Sequence, residues 1–157
     1  MLNLSHFRDY VIIPTLKRMG GKFFSLDAVC LLLGTALHES RLEFLKQIGG
    51  GPALGVYQLE PATIKDLHNT FLNYRPELDA VVNSLMSAQD KEIQAITNLS
   101  YSTALARLKY FRVSEQIPQR DNPRAMARYW KAHYNTYLGA GKVEDFENSY
   151  REHILTL

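Results

Sequence analysis

Residues 28–37, AVCLLLGTAL, are the longest uncharged apolar stretch of the chain. Ser25 can cap a helix that begins at Leu26, and the pattern predicts that this helix continues to about Gln47. Apolar side chains occupy nearly every side of its first half, which is typical of a helix buried on all faces. The stretch has about half of the ~20 residues that a membrane-spanning helix needs. We therefore predict a central core helix and no membrane span.

Helical patterns flank this stretch on both sides. Residues 4–19 are helix-like around Pro14, which either kinks the helix or starts a second segment, and Gly20 ends it. Residues 55–59, GVYQL, are either a short hairpin arm or a plain loop. The expected fold is a compact all-α single domain spanning residues 1–157. The remaining predicted helices cover residues 61–71, 76–86, 91–112, 122–134 and 143–154.

Composition and charge argue against several functional classes. The net charge of +2 is too small to indicate nucleic-acid binding. The single cysteine, Cys30, is expected to be a buried small hydrophobe, so no disulfide framework is predicted. His38 and Glu39 lack the second histidine of a zinc-protease helix, because Leu42 stands one turn later. Since the five histidines are also scattered, we predict no metal site.

Glu39 has the position of an acid catalyst. It follows about three helical turns of apolar residues, so its carboxyl group is expected at the edge of the core. Desolvation there raises the pKa of a carboxyl group, and the negative end of a helix that ends soon afterwards acts in the same direction. An acid that stays protonated near neutral pH can protonate a glycosidic oxygen. The alternative is a glutamate that is solvated or paired with Arg41.

Two segments supply groups that suit sugar binding. Residues 55–59 combine a glycine, where backbone can approach a ligand, with an aromatic ring and an amide. Sugars use flat apolar surfaces for their ring faces and amides for their hydroxyl and N-acetyl groups. Residues 128–139, RYWKAHYNTYLG, form a second aromatic-rich cluster. A core position explains Trp130 and Tyr129 of this cluster as well, and we favour it.

The chain contains, in order, Glu39-Ser40, then Gly55-Val56-Tyr57-Gln58-Leu59 with Pro61-Ala62-Thr63, then Tyr134-Asn135. In their order and rough spacing these three motifs resemble those of the SLT-type lytic transglycosylases, and the resemblance covers about residues 28–138. Their counterparts in the family are Glu-Ser, Gly-Leu-Met-Gln-Ile-x-Pro-x-Thr and Ala-Tyr-Asn. Residues 98–111, NLSYSTALARLKYF, also resemble the family helix that packs under the cleft.

The resemblance implies a lysozyme-like helical fold whose cleft binds the glycan strands of peptidoglycan. The family glutamate is the only catalytic carboxylate, and it protonates the bond between N-acetylmuramic acid and N-acetylglucosamine. It then acts as a base while the muramyl 6-hydroxyl closes on C1, which leaves a 1,6-anhydro end. The family uses no metal or organic cofactor. Residues 1–24 and 142–157 would be flanking helices.

Residue roles follow from the resemblance. Glu39 would be the acid/base, and Tyr134 would orient it with Asn135 beside it. Gln58 and the backbone around residues 55–57 would hold sugar, whereas Ser40 matches a position that bonds the local backbone. The substrate-binding candidates are Ser40, Gly55, Val56, Tyr57, Gln58, Tyr134 and Asn135.

The chain departs from the family pattern at several positions. Gly49 or Gly50 falls where family members often carry a loop serine, and Tyr137 stands where a glycine is expected. Val56 and Tyr57 replace an aliphatic residue and a methionine, which reshapes the wall before Gln58.

Glu60 is a further departure, since the family has an apolar residue there. Glu60 either caps the helix that begins at Pro61, which we favour, or serves as a second cleft carboxylate. A second carboxylate would allow a hydrolytic muramidase that uses water.

The expected substrate lies outside the cytoplasmic membrane, yet the first residues show no pattern of a secretory signal. Family members without a signal are often carried by phage particles. We therefore hypothesise a cell-wall enzyme of a phage virion or lysis cassette, with virion or tail proteins as partners. Two other classes stay open: a virion structural or adaptor protein without turnover, and a glycan-binding or protein-interaction module in which Trp130 and Tyr134 face a partner.

Overall fold

Nine α-helical segments, joined by loops and by short π- and 3₁₀-helical turns, account for the regular structure of the chain. The computed structural model describes residues 1–157, and it contains two isolated β-bridges but no sheet. The all-α prediction is confirmed. The segments are α1 (Leu4–Phe7), α2 (Ile13–Met19), α3 (Leu26–Ser40), α4 (Pro61–Asp66), α5 (Pro76–Asn83), α6 (Lys91–Thr97), α7 (Leu99–Phe111), α8 (Pro123–Trp130) and α9 (Val143–His153).

The centre of the molecule is α3, which contacts α7, α8 and α9. Ser25 caps it as predicted, because its hydroxyl accepts a hydrogen bond from the Ala28 amide at 3.0 Å. Gly34 lets α9 approach closely, since a Cβ atom at this position would lie 2.9 Å from the Tyr150 ring. The helix is buried along most of its length, and none of the helices is long and apolar enough to cross a membrane.

The central helix ends at Ser40, so the predicted end at Gln47 is wrong. Arg41 and Leu42 both have a φ of 53°, which takes the chain out of the helix. The Ser40 hydroxyl accepts a hydrogen bond from the Leu42 amide at 3.1 Å, and the Leu42 side chain turns back into the core. The apolar residues after Ser40 therefore mimic a helical pattern that the backbone does not follow. This early end is what brings Glu39 to the edge of the core.

The predicted helix over residues 91–112 is in fact two helices, α6 and α7, which meet at Asn98. Asn98 has an extended backbone conformation, with φ −112° and ψ 100°. Its side-chain oxygen accepts from the Tyr101 amide at 3.0 Å, and its amide nitrogen donates to the Leu85 carbonyl at 2.7 Å. These bonds make Asn98 the N-cap of α7 and hold the loop between α5 and α6 against the start of that helix. The apolar pattern does not show where α6 ends and α7 begins, because both helices pack on the same core.

The N-terminal helical run is continuous from Leu4 to Met19, with a π-helical turn over Arg8–Ile12. Pro14 lies in the first turn of α2, where its missing N–H group is tolerated. The run and α9 belong to the same core, which is one cluster of 38 buried residues that includes Phe7 and Phe146. The terminal helices are therefore integral to the fold. Cys30 is free and only partly buried.

Candidate active site

A cavity of about 550 Å³ opens where α3 ends. The loop after α3 forms one wall, the segment after α8 forms the opposite wall, and Lys109 of α7 also lines the cavity. The volume is in the range of ~300–1,000 Å³ that is usual for ligand sites. The lining residues are His38, Glu39, Phe44, Lys46, Gln47, Ile48, Ala53, Gln58, Glu60, Thr63, Lys109, Tyr134, Asn135, Thr136, Gly139, Ala140 and Gly141.

Glu39 lies in the last turn of α3 and is partly buried. Its Oε1 atom accepts a hydrogen bond from Nε1 of Trp130 at 2.9 Å. Burial raises the pKa of Glu39 to about 6, while the Trp130 hydrogen bond and the charge of Lys109 act in the opposite direction. A carboxyl group with this pKa holds its proton for an appreciable fraction of the time near neutral pH, and it can also lose it. These are the properties of a group that exchanges protons with a ligand.

Trp130 is the residue that fixes the Glu39 carboxyl group. Its indole ring has no exposed surface and stacks on Phe146, with 4.9 Å between the ring centroids. The His38 ring packs edge-on against it at 4.5 Å, and burial lowers the pKa of His38, so its imidazole is neutral at pH 7. The predicted core position of Trp130 is confirmed. Its contact with Glu39 was missed, because residue type alone cannot show which groups a buried indole meets.

A tight turn at residues 54–59 forms the end of one wall. Leu54 and Leu59 exchange two backbone hydrogen bonds of 2.9 Å, so the segment is a hairpin-like turn without a ladder. Gly55 has a φ of +70°, and a Cβ atom there would lie 2.1 Å from the carbonyl oxygen of Ala95. Gln58 has a φ of 47°, and its side-chain amide donates to the Gly55 carbonyl at 2.9 Å. The turn therefore places Gln58 in the lining of the cavity.

Ser40, Val56 and Tyr57 lie beneath the cavity and do not line it. The Ser40 hydroxyl is 2.8 Å from the Val56 carbonyl and 3.0 Å from the Ala36 carbonyl, so it ties the end of α3 to the turn. The Tyr57 hydroxyl accepts from Thr103 at 3.3 Å, and its ring is fully buried. These residues position the wall: Ser40 and Tyr57 act through their hydroxyl groups, and Val56 acts through its carbonyl, which accepts from Ser40. Side-chain contacts to a ligand in the cavity are not available to them.

Tyr134 and Asn135 belong to the opposite wall, on the π-helical turn Lys131–Asn135. The Tyr134 hydroxyl donates to the Tyr57 carbonyl at 2.7 Å, so it ties the two walls together. The expected orienting contact of Tyr134 with Glu39 is made by Trp130 instead. Asn135 accepts from the Lys131 ammonium at 2.6 Å, which also donates to the Gly139 and Gly141 carbonyls and so holds this loop.

Lys109 is a cation that sequence reasoning did not single out. Its ammonium group donates to the Tyr134 carbonyl at 2.7 Å and lies 3.9 Å from the centroid of the Tyr134 ring. Burial lowers the pKa of Lys109 to about 8, although the charges of Glu39 and Glu60 act to raise it. A lysine within an amphipathic helical pattern gives no signal that it faces a cleft.

Glu60 occupies the N-cap position of α4, directly before Pro61, but its side chain makes no capping hydrogen bond. The predicted cap by the Glu60 carboxylate is therefore wrong, although the residue stands at the capping position. Glu60 is exposed and lines the cavity, so its carboxylate is open to a ligand.

Five of the nine sequence-predicted site residues meet at one cavity: Glu39, Gln58, Glu60, Tyr134 and Asn135. No group of three or more His, Cys, Asp or Glu side chains is arranged to hold a metal ion. Comparison with protein-family models, with curated proteins and with solved structures finds no match for the chain. The cavity and the residues that line it are therefore the structural basis for a proposed function.

Proposed function

We propose that the protein cleaves the β-1,4 bond between N-acetylmuramic acid and N-acetylglucosamine in peptidoglycan, as a lytic transglycosylase in which Glu39 is the general acid and base. The observation that carries this proposal is a single partly buried carboxyl group, with a pKa of about 6, that opens onto a cavity of about 550 Å³. The motif resemblance around Glu39, Gln58 and Tyr134 supports the choice of substrate.

The proposed chemistry uses one carboxyl group twice. Protonated Glu39 gives its proton to the glycosidic oxygen while the bond from that oxygen to C1 of the muramyl residue breaks. The Glu39 carboxylate then takes the proton of the muramyl 6-hydroxyl as this oxygen bonds to C1. Glu39 ends protonated, the muramyl residue ends as a 1,6-anhydro sugar, and no water is consumed. The Trp130 indole keeps the carboxyl group in place during both transfers.

Sugar binding is assigned to polar groups on the two cavity walls. The Gln58 side chain donates one N–H to Gly55, which leaves its carbonyl oxygen and its second N–H for hydroxyl or N-acetyl groups. Asn135 offers its amide on the opposite wall. Phe44 and Ile48 add apolar side chains to the loop side of the cavity, where ring faces can pack. This mixture of amides and apolar surface suits an amino-sugar polymer.

Hydrolysis to a reducing muramyl end is the second candidate reaction, and the position of Glu60 favours it. Its carboxylate lines the same cavity as Glu39 and is not used for capping. A second carboxylate can activate a water molecule on the other side of the sugar ring.

The proposed substrate places the site of action in the cell wall. Delivery by a phage particle, with virion or tail proteins as partners, stays a prediction, as does the alternative of a virion structural protein without turnover. A glycan-binding module is the further alternative. It differs from an enzyme in a measurable way, since it binds sacculi without releasing fragments.

Release of dye-labelled fragments from purified sacculi separates these alternatives. We expect the wild-type protein to release soluble fragments, and Glu39→Gln to bind sacculi and release none above background. Glu43→Gln is the matched control, because Glu43 is an exposed glutamate on the loop that follows α3, close in sequence to Glu39, and it does not line the cavity. Equal release by wild type and Glu39→Gln, or binding without release by wild type, would exclude the proposed role of Glu39.

A further inference from the structure

Lys109 has more hydrogen-bonding capacity than the protein uses. Its ammonium group has three N–H donors, and the Tyr134 carbonyl, at 2.7 Å, is its only protein acceptor. The Tyr134 ring, 3.9 Å away, restrains the ammonium group on a second side. Neither Glu39 nor Glu60 is hydrogen-bonded to it, although both act on its charge. The lysine is thus fixed in the cavity without being neutralised by a salt bridge.

The groups around Glu39 make this charge important. His38, on the same helix, is held neutral by burial, and Trp130 of α8 donates a hydrogen bond without carrying charge. Tyr110 of α7 and Tyr134 contribute neutral hydroxyl groups whose pKa values lie well above 10.

Two charged groups reach the same cavity from the loop after α3. Lys46 and Glu60 carry charges of opposite sign, and both are exposed to solvent, which screens them. Lys109 is therefore the only partly buried cation that acts on Glu39.

Burial alone would make Glu39 an acid that is slow to act as a base. A carboxyl group in an apolar setting keeps its proton, because ionisation there is unfavourable. The proposed reaction needs the opposite property in its second step, when the carboxylate must accept a proton. A positive charge beside the carboxyl group stabilises the ionised form and so makes this second step accessible.

We propose that Lys109 is a positioning residue that allows Glu39 both to give and to take a proton, because it fixes one positive charge in the same cavity as the partly buried Glu39 carboxyl group, whose buried neighbours are uncharged. This inference rests on the proposed function for the role that the charge has in catalysis. The effect of the Lys109 charge on the ionisation of Glu39 does not depend on that function. The contact with Tyr134 is part of the arrangement, since it keeps the ammonium group from swinging into solvent.

The ionisation of Glu39 in the whole protein tests this inference directly. The Glu39 carboxyl resonance is followed against pH by carbon-13 NMR in wild type, Lys109→Met and Lys109→Arg, with Glu39→Gln for assignment. We expect the pKa of Glu39 to rise by about one unit in Lys109→Met and to stay near the wild-type value in Lys109→Arg. Lys46→Met is the matched control and should leave the pKa of Glu39 unchanged.

Lys109→Met is expected to fold, because it replaces a partly buried charge by an apolar side chain of similar length. Thermal melting checks this. An unchanged pKa of Glu39 in Lys109→Met, or an equal rise in Lys46→Met, would overturn the inference. If Lys109→Met does not fold, Lys109→Gln decides in the same way, since it also removes the charge.

Activity gives a second readout that separates this inference from the proposed function. In an active enzyme, Lys109→Met should lower kcat about tenfold with little change in KM and move the upper limb of the pH–rate profile to higher pH. A protein that releases no fragments while the pKa of Glu39 still follows Lys109 would refute the proposed function and support the inference. Activity with an unshifted profile in Lys109→Met would refute the inference alone.

Discussion

Glu39 is costly to the fold when it is ionised. Its pKa is about 6 in the folded protein against an ordinary value of 4.5, so the folded state binds more protons than the unfolded state between these two pH values. The free energy of unfolding therefore decreases as pH rises through this window. Below pH 4.5 the carboxyl group is protonated in both states and costs nothing. A site that keeps such a group has kept it at the expense of stability.

Glu39→Gln should make the protein more stable at neutral pH. Glutamine preserves an oxygen for the Trp130 indole and removes the unfavourable ionisation. We expect a gain of up to about 2 kcal/mol at pH 7 and no gain at pH 4, since a shift of one pKa unit corresponds to about 1.4 kcal/mol. Urea unfolding of both proteins at the two pH values measures this. A Glu39→Gln variant that is less stable than wild type at pH 7 would contradict the raised pKa.

Residues differ in how far their roles follow from the sequence. Glu39 could be singled out because its burial depends on the apolar residues that precede it in the same helix. Its partner Trp130 is 91 positions away, and only the packing of α8 on α3 brings the two together. Lys109 gives no signal at all, because a lysine on a helix is usually solvated. Contacts between segments that are distant in the sequence are therefore the part of the site that local sequence patterns cannot predict.

The turn at residues 54–59 depends on one close approach between elements. Gly55 packs against the backbone of Ala95 in α6, where a Cβ atom would come within 2.1 Å of a carbonyl oxygen. The backbone of α6 cannot move away easily, because Ala95 is buried in the core. This contact sets the position of Gln58 relative to Glu39.

Gly55→Ala should therefore destabilise the protein by about 2–4 kcal/mol, through a backbone clash added to an unfavourable positive φ. Gly49→Ala is the matched control: Gly49 has a φ of +83° but no heavy atom within 4 Å of the added Cβ, so we expect a loss of only about 1 kcal/mol. Thermal or urea unfolding compares the two variants. Equal losses would mean that φ alone, and not the contact with Ala95, explains the effect.

Helix boundaries are the element-level feature that periodicity predicts least well. The apolar pattern continues past Ser40 and across Asn98, so α3 was predicted too long and α6 and α7 were predicted as one helix. In both places a side-chain hydrogen bond to the backbone ends the regular structure, and in both a neighbouring segment supplies the second partner. The cap at Ser25 was predictable because its partner, the Ala28 amide, lies within three residues along the chain.

The candidate site depends on a helix, α9, that lies outside the region of motif resemblance. Phe146 of α9 stacks on Trp130, and Tyr150 packs against Gly34 of α3. The position of Trp130, and with it the carboxyl group of Glu39, is thus set by the C-terminal helix. The fold class followed from the sequence, whereas this dependence did not, because it arises from the way α9 crosses α3 and α8.

A chain shortened after Gly141, which lacks α9, should not fold. Removal of this helix exposes the indole ring of Trp130 and the apolar face of α3. Because several large side chains are uncovered together, the lost free energy of burial exceeds the ~5–15 kcal/mol that typically stabilises a domain. Removal of residues 155–157 alone is the control and should change the melting temperature little, since these residues are exposed. Near-ultraviolet circular dichroism during heating measures both. A cooperative transition in the shorter chain would show that α9 is dispensable.

Glu39 is proposed to cleave the glycan strand by giving a proton and then taking one back. Mass spectrometry of the soluble products, after incubation of purified peptidoglycan with wild type and with Glu39→Gln, is the measurement to make. We expect muropeptides with 1,6-anhydromuramyl ends from wild type and none from Glu39→Gln. Reducing muramyl ends would contradict the transglycosylase mechanism and point to hydrolysis with Glu60. The same products from both proteins would contradict the role of Glu39 itself.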